Sequence, residues 1–243
     1  MEPIVSIDQG CVSFGKKKVL DHVNLRINAG EIYGLIGPSG AGKTTMVKLL
    51  VGMEKVDTGT VTVLNQLMPN TKILQNIGYM AQADALYEEL TGEENLKFFA
   101  SLFKLNKKQQ LKRITYVAEV VNLTADLKKK VCYYSGGMKR RLSLAVALIQ
   151  NPNVLILDEP TVGMDPALRV SIWKELNRLK IEENKTIIVT THVMDEAIKC
   201  DCLSLIRDGH VLISGAPKEL MHQYQVENLE DVFLLSGGGQ HEN

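Results

Sequence analysis

The sequence has no excess charge of either sign, because 28 lysines and arginines balance 28 aspartates and glutamates over 243 residues. A domain that mainly grips a nucleic-acid backbone carries a surplus of basic residues, so the balance argues against nucleic acid as a partner. Short basic clusters do occur, at residues 16–18, 128–130 and 139–141. Their brevity favours solvated faces, and we interpret none of them as a binding patch.

Cysteines and long apolar runs are also scarce. Of four scattered cysteines only Cys200 and Cys202 are close, and they lack a second pair or histidines at zinc-finger spacing, which favours reduced thiols in a cytosolic protein. No apolar stretch approaches the roughly 20 residues of a membrane span, and the start of the chain lacks the pattern of a signal peptide. We therefore expect a soluble chain, whose role in any transport would require another polypeptide.

A phosphate-binding loop is the most informative feature that is present. It has the G-x-x-x-x-G-K-[ST] spacing and follows the apolar run at residues 32–36, which predicts a strand, then the loop, then a helix from about Lys43. The glycines let backbone N–H groups face a nucleotide's phosphates, Lys43 reaches the terminal phosphate and Thr44 can ligate Mg²⁺. The predicted nucleotide-binding residues here are Gly37, Pro38, Ser39, Gly40, Ala41, Gly42, Lys43, Thr44 and Thr45.

Hydrophobic patterning predicts an α/β fold. Short alternating runs over residues 4–28 indicate antiparallel strands, which residues 60–64 join, and residues 91–150 have a helical character. Residues 154–157 and 186–190 are continuous apolar runs typical of buried parallel strands, with a helix around 167–180 between them.

The expected fold is a P-loop NTPase core with a mainly parallel sheet, an N-terminal antiparallel β subdomain and an inserted α-helical subdomain. In a single domain over residues 1–243, the core takes residues 1–90 and 151–225, the helical subdomain residues 91–150, and a C-terminal tail residues 226–243. The glycines at 237–239 are interpreted as part of a frayed tail.

An acidic pair ends the predicted strand at residues 154–157. A parallel strand delivers its side chains to the carboxyl edge of the sheet, where the phosphate loop is also expected. Asp158 can then hold Mg²⁺, and Glu159 can face the γ-phosphate and activate the attacking water. The pair predicts nucleotide hydrolysis.

The order of motifs resembles one family over roughly residues 4–234. The phosphate loop, then Tyr134-Ser135-Gly136-Gly137-Met138 leading a helix, then the strand with Asp158-Glu159, then a lone histidine after a strand, is similar to the ATP-binding subunit of ABC transporters. The resemblance implies an ATPase that takes ATP and Mg²⁺. It departs from the family's Leu-Ser-Gly-Gly-Gln only at Tyr134 and Met138.

The resemblance also implies roles for residues outside the phosphate loop. Phe14 matches the aromatic that stacks on adenine, Gln82 the glutamine that meets Mg²⁺ and senses the membrane partner, and His192 the switch histidine at the γ-phosphate. The alternatives are an ordinary strand aromatic for Phe14 and an exposed loop residue for Gln82, and the resemblance favours the functional role for both.

A second set of residues implies a partner copy of the chain. Ser135, Gly136 and Gly137 match the signature motif, which in this family contacts ATP held by the other subunit, and Asp165 matches the loop that couples the two sites. The resemblance thus implies a head-to-tail dimer, favoured as a homodimer, bound to an integral-membrane permease at the inner face of the cell membrane.

The motif 134–142, the Gly163-Met164-Asp165-Pro166 segment and the ending at 229–234 look like the exporter ATPases that partner ABC-2 type permeases. The residues after Gly209 are too few for an additional regulatory domain. Two alternatives stay open from the sequence. A ribosome-acting or DNA-repair ABC protein would carry a second cassette or heptad runs, and a small-molecule P-loop kinase would leave Ser135 and His192 without a role.

Overall fold

The structure, a computed structural model, describes residues 3–237. The chain forms two compact bodies. The first comprises the described residues up to Ile73 and from Ile188 onward, and the second is Leu74–Ile187. Over residues 3–237, none of the helices combines the length and the apolar composition that crossing a membrane would require.

The secondary structure alternates strands and helices along the chain. In order, the strands are β1 (Val5–Phe14), β2 (Lys17–Ile27), β3 (Ile32–Ile36), β4 (Thr58–Val63), β5 (Gln66–Leu67), β6 (Ile77–Met80), β7 (Val154–Asp158), β8 (Thr186–Thr191), β9 (Cys202–Arg207) and β10 (His210–Gly215). The α-helices are α1 (Lys43–Leu50), α2 (Gly92–Leu102), α3 (Lys107–Val120), α4 (Gly136–Leu148), α5 (Pro166–Glu183), α6 (Met194–Ala197), α7 (Pro217–Tyr224) and α8 (Leu229–Gly237).

An antiparallel sheet of order β2-β1-β4-β5 belongs to the first body. Val5 pairs with Ile27 on one side and with Val63 on the other, and all three side chains are buried. Alternation of apolar and polar residues along these strands places the apolar ones on a common face. The predicted antiparallel strands, and the joining of residues 60–64 to them, are confirmed.

A second sheet of the first body contains both antiparallel and parallel pairs, since β10 runs antiparallel to β9. Here β9 lies between β10 and β3, and β3 is followed by β8. β3 runs parallel to β9, with Gly34 opposite Leu203, and all five of its residues are buried, as a continuous apolar strand requires. The carboxyl end of β3 delivers the chain into the loop at 37–42, where the sequence places the phosphate site.

The second body holds a parallel pair of strands and the long helices. β6 runs parallel to β7, and the Thr186 N–H at the start of β8 donates to the Asn153 carbonyl at 3.0 Å. The predicted strands at 154–157 and 186–190 and the helix around 167–180 are confirmed as β7, β8 and α5. The predicted α/β fold, with its antiparallel N-terminal sheet and parallel strands, is thereby confirmed.

The predicted helical segment at 91–150 contains α2, α3 and α4. The second body extends beyond these helices on both sides along the chain. Compactness alone does not define a folding unit, so the predicted domain boundaries at 90/91, 150/151 and 225/226 stay predictions.

The helix α8 covers residues 229–237 of the predicted C-terminal tail, which is half of its length. In α8 the side chains of Leu229 and Val232 are buried against an apolar cluster that includes Leu205 of β9 and Leu220 of α7. The burial of each of these two side chains stabilises the helix by roughly 2 kcal/mol. Gly237 ends α8, and the other two glycines of the predicted frayed segment lie outside the described residues.

The start of α2 follows the sequence signal at Thr91. The Thr91 hydroxyl accepts from the Glu94 N–H at 3.1 Å, and the Glu94 carboxylate accepts from the Thr91 N–H at 2.8 Å. Two N–H groups that a helix start leaves unpaired are thus satisfied reciprocally.

We therefore expect Thr91→Ala to lower the free energy of unfolding by about 1 kcal/mol, because it removes this cap. The measurement is urea unfolding followed by circular dichroism. The control is Thr115→Ala inside α3, where the hydroxyl donates to the Leu111 carbonyl one turn earlier and alanine is the better helix former. Equal destabilisation by both variants would contradict the capping role.

Candidate functional site

The phosphate loop runs from the end of β3 to the start of α1 and packs where no side chain fits. A Cβ on Gly37 would lie 2.1 Å from the Ile206 carbonyl oxygen of β9, far inside contact distance. Gly42 adopts φ 107°, a conformation that side chains disfavour, and a Cβ there would lie 2.7 Å from Leu20. Gly37 is therefore required by packing, and Gly42 both by packing and by its own backbone conformation.

The same loop is built to receive an anion. The N-cap of α1 is Gly42, which has no side chain to cap the helix, and the first N–H groups of α1 carry the positive end of the helix dipole. The buried Lys43 ammonium donates to the carbonyls of Gly37 at 2.7 Å and Pro38 at 2.9 Å, so its charge is held over the loop. Thr44 and Thr45, in the first turn, are half-buried. Backbone donors, a cation and a hydroxyl converge as polyphosphate binding requires.

Two more predicted site residues belong to the first body. Phe14 ends β1 and is half exposed, which is unusual for a large apolar residue of this sheet. His192 follows β8 and is exposed. The backbone after it is fixed by Thr191, whose hydroxyl accepts from the Val193 N–H at 3.0 Å and donates to the buried Glu196 carboxylate at 3.1 Å.

The acidic pair of the second body differs in burial and in backbone conformation. Asp158 ends β7 and is only 1 % exposed, whereas the next residue, Glu159, is half-buried and has φ 52°. A glutamate in this left-handed region costs of order 1 kcal/mol, so surrounding contacts must hold it there. Strain at a carboxylate after a buried strand is a feature of functional sites.

Arg140 of α4 provides those contacts. Its guanidinium donates to the Glu159 carbonyl at 2.8 Å and to the Asp158 carbonyl, and on its other branch to the carbonyls of Ala81 at 2.6 Å and Gln82 at 2.9 Å. One side chain therefore ties the backbone that carries Gln82 to the backbone that carries Glu159. The prediction that residues 139–141 form a solvated face is wrong for Arg140, which is 7 % exposed.

A carboxylate supports this arginine. Asp84 lies 3.7 Å from the Arg140 guanidinium and accepts from the Ser143 hydroxyl at 2.6 Å. Burial lowers the pKa of Arg140, and the charges of Asp84 and Asp158 oppose that change. Sequence reasoning missed Arg140, although an arginine among the buried apolar residues of α4 is a signal that a buried partner must exist.

The signature residues lie at the start of α4. Ser135 is its N-cap, and the Ser135 oxygen accepts from the Met138 N–H at 3.2 Å, which leaves the hydroxyl proton to be donated elsewhere. Ser135 and Gly136 are exposed, and a Cβ on Gly137 would meet the Gly163 carbonyl at 3.2 Å. Asp165, two residues after Gly163, accepts from the Leu168 N–H at 2.9 Å and caps α5.

Tyr134 stands where the family motif Leu-Ser-Gly-Gly-Gln has leucine, and the contacts of its side chain explain this difference. Its side chain is buried, and its hydroxyl donates to the Asp126 carbonyl at 2.8 Å. A Cβ on Gly92 would lie 2.3 Å from that hydroxyl, so a glycine at the start of α2 makes room for the ring. The tyrosine thus anchors the chain just before the signature.

The predicted site residues divide between the two bodies. The first holds Phe14, residues 37–45 and His192, and the second holds Gln82, Ser135, Gly136, Gly137, Asp158, Glu159 and Asp165. Within the second body Gln82 and Glu159 share Arg140, and Gly137 lies against the loop that leads to Asp165.

Residues 20–162 match the family model described as ABC transporter. The chain is 39 % identical over 246 residues to the Nod factor export ATP-binding protein I of Rhizobium meliloti (strain 1021), covering 99 % of this chain and 72 % of that protein. It is 40 % identical to ABC transporter G family member 23 of Dictyostelium discoideum, covering 98 % of this chain. The chain spans only about a third of that longer protein, 34 %.

Solved structures share the fold. A dimeric structure of the ATP-binding cassette MJ0796 in a post-hydrolysis state, bound to ADP and Pi, superposes with a TM-score of 0.82 at 27 % identity, covering 87 % of this chain and 98 % of that one. The ATP-binding subunit of another ABC transporter superposes at 0.89, covering 96 % of this chain and 99 % of that one, but at 24 % identity it supports the fold alone. The family match leaves the small-molecule kinase alternative without support.

Removing the Arg140 guanidinium should destabilise the second body. We expect Arg140→Met to lower the free energy of unfolding by about 3 kcal/mol, because several buried carbonyls and Asp84 lose their donor while the methionine fills part of the space. Urea unfolding measures the effect. The control is Arg141→Met, which removes one exposed bond to the Asn122 carbonyl and should cost under about 1 kcal/mol. Similar losses in both variants would contradict the bridging role of Arg140.

Proposed function

The chain belongs to the ABC transporter family and is an ATP-binding ATPase domain, and from that premise we propose that it powers an exporter whose membrane permease is a separate polypeptide. The observation that carries the proposal is the phosphate loop, whose glycines are held against Ile206 and Leu20 with the Lys43 ammonium over the backbone. That loop supplies the nucleotide site that energy coupling requires.

Each group of predicted site residues has its own role toward the nucleotide in this proposal. The N–H groups of residues 37–45 and the Lys43 ammonium bind the phosphates, and the half-exposed Phe14 stacks on the adenine. The oxygens of Thr44, Gln82 and Asp158 form the donor set that Mg²⁺ prefers, so these residues fit that ion and would hold it. When bound, Mg²⁺ neutralises charge on the β- and γ-phosphates.

Glu159 and His192 complete the hydrolytic machinery. We assign Glu159 as the base that orients and deprotonates the attacking water, since its carboxylate follows directly after Asp158. The backbone bond from Arg140 holds Glu159 in its left-handed conformation and so reduces the freedom of this base. His192, exposed after β8, contacts the γ-phosphate.

A second copy of the chain completes each site. The exposed Ser135 hydroxyl can donate to an anion while its oxygen caps α4, and the N–H groups of Gly136 and Gly137 lie at the positive end of that helix. We propose that this surface binds the γ-phosphate of ATP held by the partner, in a head-to-tail homodimer. The neighbouring Asp165 couples the two sites.

The direction of transport follows from relatives. The Nod factor export protein, which aligns with 99 % of this chain, is described as an export ATP-binding protein, and this favours an exporter of the ABC-2 type. We place the subunit in the cytoplasm, bound to its permease at the inner face of the cell membrane.

The central test is Glu159→Gln. We expect it to abolish ATP turnover, a loss of at least about a hundredfold, while ATP binding stays intact, because the amide keeps the shape but cannot take a proton. The variant should accumulate as an ATP-bound dimer on gel filtration, with phosphate release measured in parallel. The control is Glu230→Gln in the first turn of α8, which should keep full turnover. Phosphate release at the normal rate from Glu159→Gln would overturn the assignment of the base.

If residues of two chains form each ATP site, ATP hydrolysis should return when two inactive variants are mixed. Ser135→Arg should bind ATP as a monomer yet fail to dimerise, because the bulky cation occupies the space of the partner's phosphate. Mixed with Glu159→Gln, it forms one doubly damaged site and one intact site, so hydrolysis should recover.

Because Ser135 also caps α4, Ser135→Ala controls for the lost cap, which costs about 1 kcal/mol without adding bulk. Normal hydrolysis by Ser135→Arg alone would show that the signature does not serve a partner's nucleotide.

A further inference from the structure

A cluster of metal-ligating side chains lies on the antiparallel sheet of the first body. The Cys11 sulfur, an Asp21 carboxylate oxygen and a His22 ring nitrogen all lie within 4.8 Å of one another. The His22 Nδ1 is 2.6 Å and the Cys11 Sγ is 4.0 Å from Asp21 Oδ1. A fourth group faces the same carboxylate, since His210 Nε2 lies 3.9 Å from Asp21 Oδ2. None of these side chains has a role in the proposed ATPase site.

An irregular stretch of the β1–β2 pairing brings these side chains together. The register shifts between Gly10 and Val12, and His22 adopts φ 48°, the left-handed region that is uncommon for residues other than glycine. The bulge turns His22 toward Cys11, and the His22 N–H donates to the Cys11 sulfur at 3.3 Å. Regular alternation would place consecutive residues such as Asp21 and His22 on opposite faces of the sheet.

We propose that Cys11, Asp21 and His22 bind a divalent transition metal of the Zn²⁺ type, with His210 as the fourth ligand. A thiolate, a carboxylate and imidazoles are the donors that zinc takes in four-coordinate sites. Mg²⁺, which accompanies ATP, prefers an all-oxygen set and would not compete for a site that contains a thiolate. The two metals therefore bind at different places on the chain.

The distances are close to those of a metal site. Zinc bonds of about 2.0–2.3 Å in a tetrahedron place ligand atoms roughly 3.3–3.8 Å apart. The three ligand atoms here lie within 4.8 Å of one another, with His22 Nδ1 2.6 Å and Cys11 Sγ 4.0 Å from Asp21 Oδ1. The Lys18 ammonium lies 2.9 Å from Asp21 Oδ1. Because the Lys18 side chain is half-exposed, its ammonium can move into solvent when a metal binds Asp21. The His22 side chain is mostly exposed, whereas the buried Cys11 supplies the fixed ligand.

The cluster is connected to the phosphate loop by backbone hydrogen bonds. The Asp21 N–H donates to the Gly209 carbonyl at 3.0 Å, and the Gly209 N–H donates to the Ala41 carbonyl at 3.1 Å. A Cβ on Gly209 would lie 2.4 Å from the Val19 carbonyl, so β2 packs tightly on this turn. We infer that metal binding at Asp21 and His22 changes nucleotide affinity through Gly209, a step that rests on the proposed function.

Metal binding itself is tested on the full chain without an affinity tag and without nucleotide. Co²⁺ replaces Zn²⁺ as a probe, because a thiolate ligand gives it a charge-transfer absorption. We expect one equivalent to produce that band and Zn²⁺ to remove it. Cys11→Ser should lose the band. His22→Asn should weaken affinity about a hundredfold, since asparagine tolerates the left-handed backbone and leaves the core untouched.

The matched control is Cys132→Ser, which removes an exposed thiol elsewhere and should bind Co²⁺ like the unaltered chain. Absence of the band, its persistence in Cys11→Ser or unchanged affinity in His22→Asn would overturn the site. Any of these results would leave the proposed ATPase function standing.

The coupling is measured as the affinity for a fluorescent ATP analogue in excess Mg²⁺, with and without one equivalent of Zn²⁺. We expect at least a threefold change in the unaltered chain and none in His22→Asn. An unchanged affinity in a chain that binds the metal would overturn the coupling and leave the metal site in place. Failure of the analogue to bind in every sample would count against the proposed function and not against the site.

Discussion

A lack of space around the phosphate loop constrains the rest of the first body. The loop can present its N–H groups to phosphate only if its backbone lies against β9 and β2, and at Gly37 and Gly42 those neighbours leave no room for a Cβ. Because the Ile206 carbonyl and Leu20 set the fit, residues distant in sequence define the anion site as firmly as the motif does. The Gly209 turn, which bonds to both Ala41 and Asp21, extends this contact to the edge of the antiparallel sheet.

Arg140 has a comparable role in the second body. A buried guanidinium is stable only when its donors are satisfied, and here backbone carbonyls of Ala81, Gln82, Asp158 and Glu159 satisfy them together with Asp84. Since carbonyls accept regardless of side chain, this arrangement fixes the backbone geometry at Gln82 and Glu159. The positive φ of Glu159 is accommodated at this point.

Local signals in the sequence predicted much of the fold. The Thr91 capping box, the continuous apolar strands and the glycine loop depend on neighbours within a few residues, and β7, β8, α1 and α2 were found where these signals place them. One prediction that depended on distant contacts was wrong. The basic run at 139–141 was interpreted as a solvated face, but it contains the buried Arg140.

The sequence by itself determined the chemistry, because the phosphate loop, the Asp158-Glu159 pair and the Ser135 segment each draw their function from adjacent residues. Only the tertiary structure decided which side chains hold those motifs in place. It also brought Cys11 of β1 close to Asp21 and His22 of β2, with His210 of β10 near Asp21, although their spacing along the chain matches no metal motif. The physical reason is that strand pairing and a register shift join residues across long sequence separations, which no local pattern encodes.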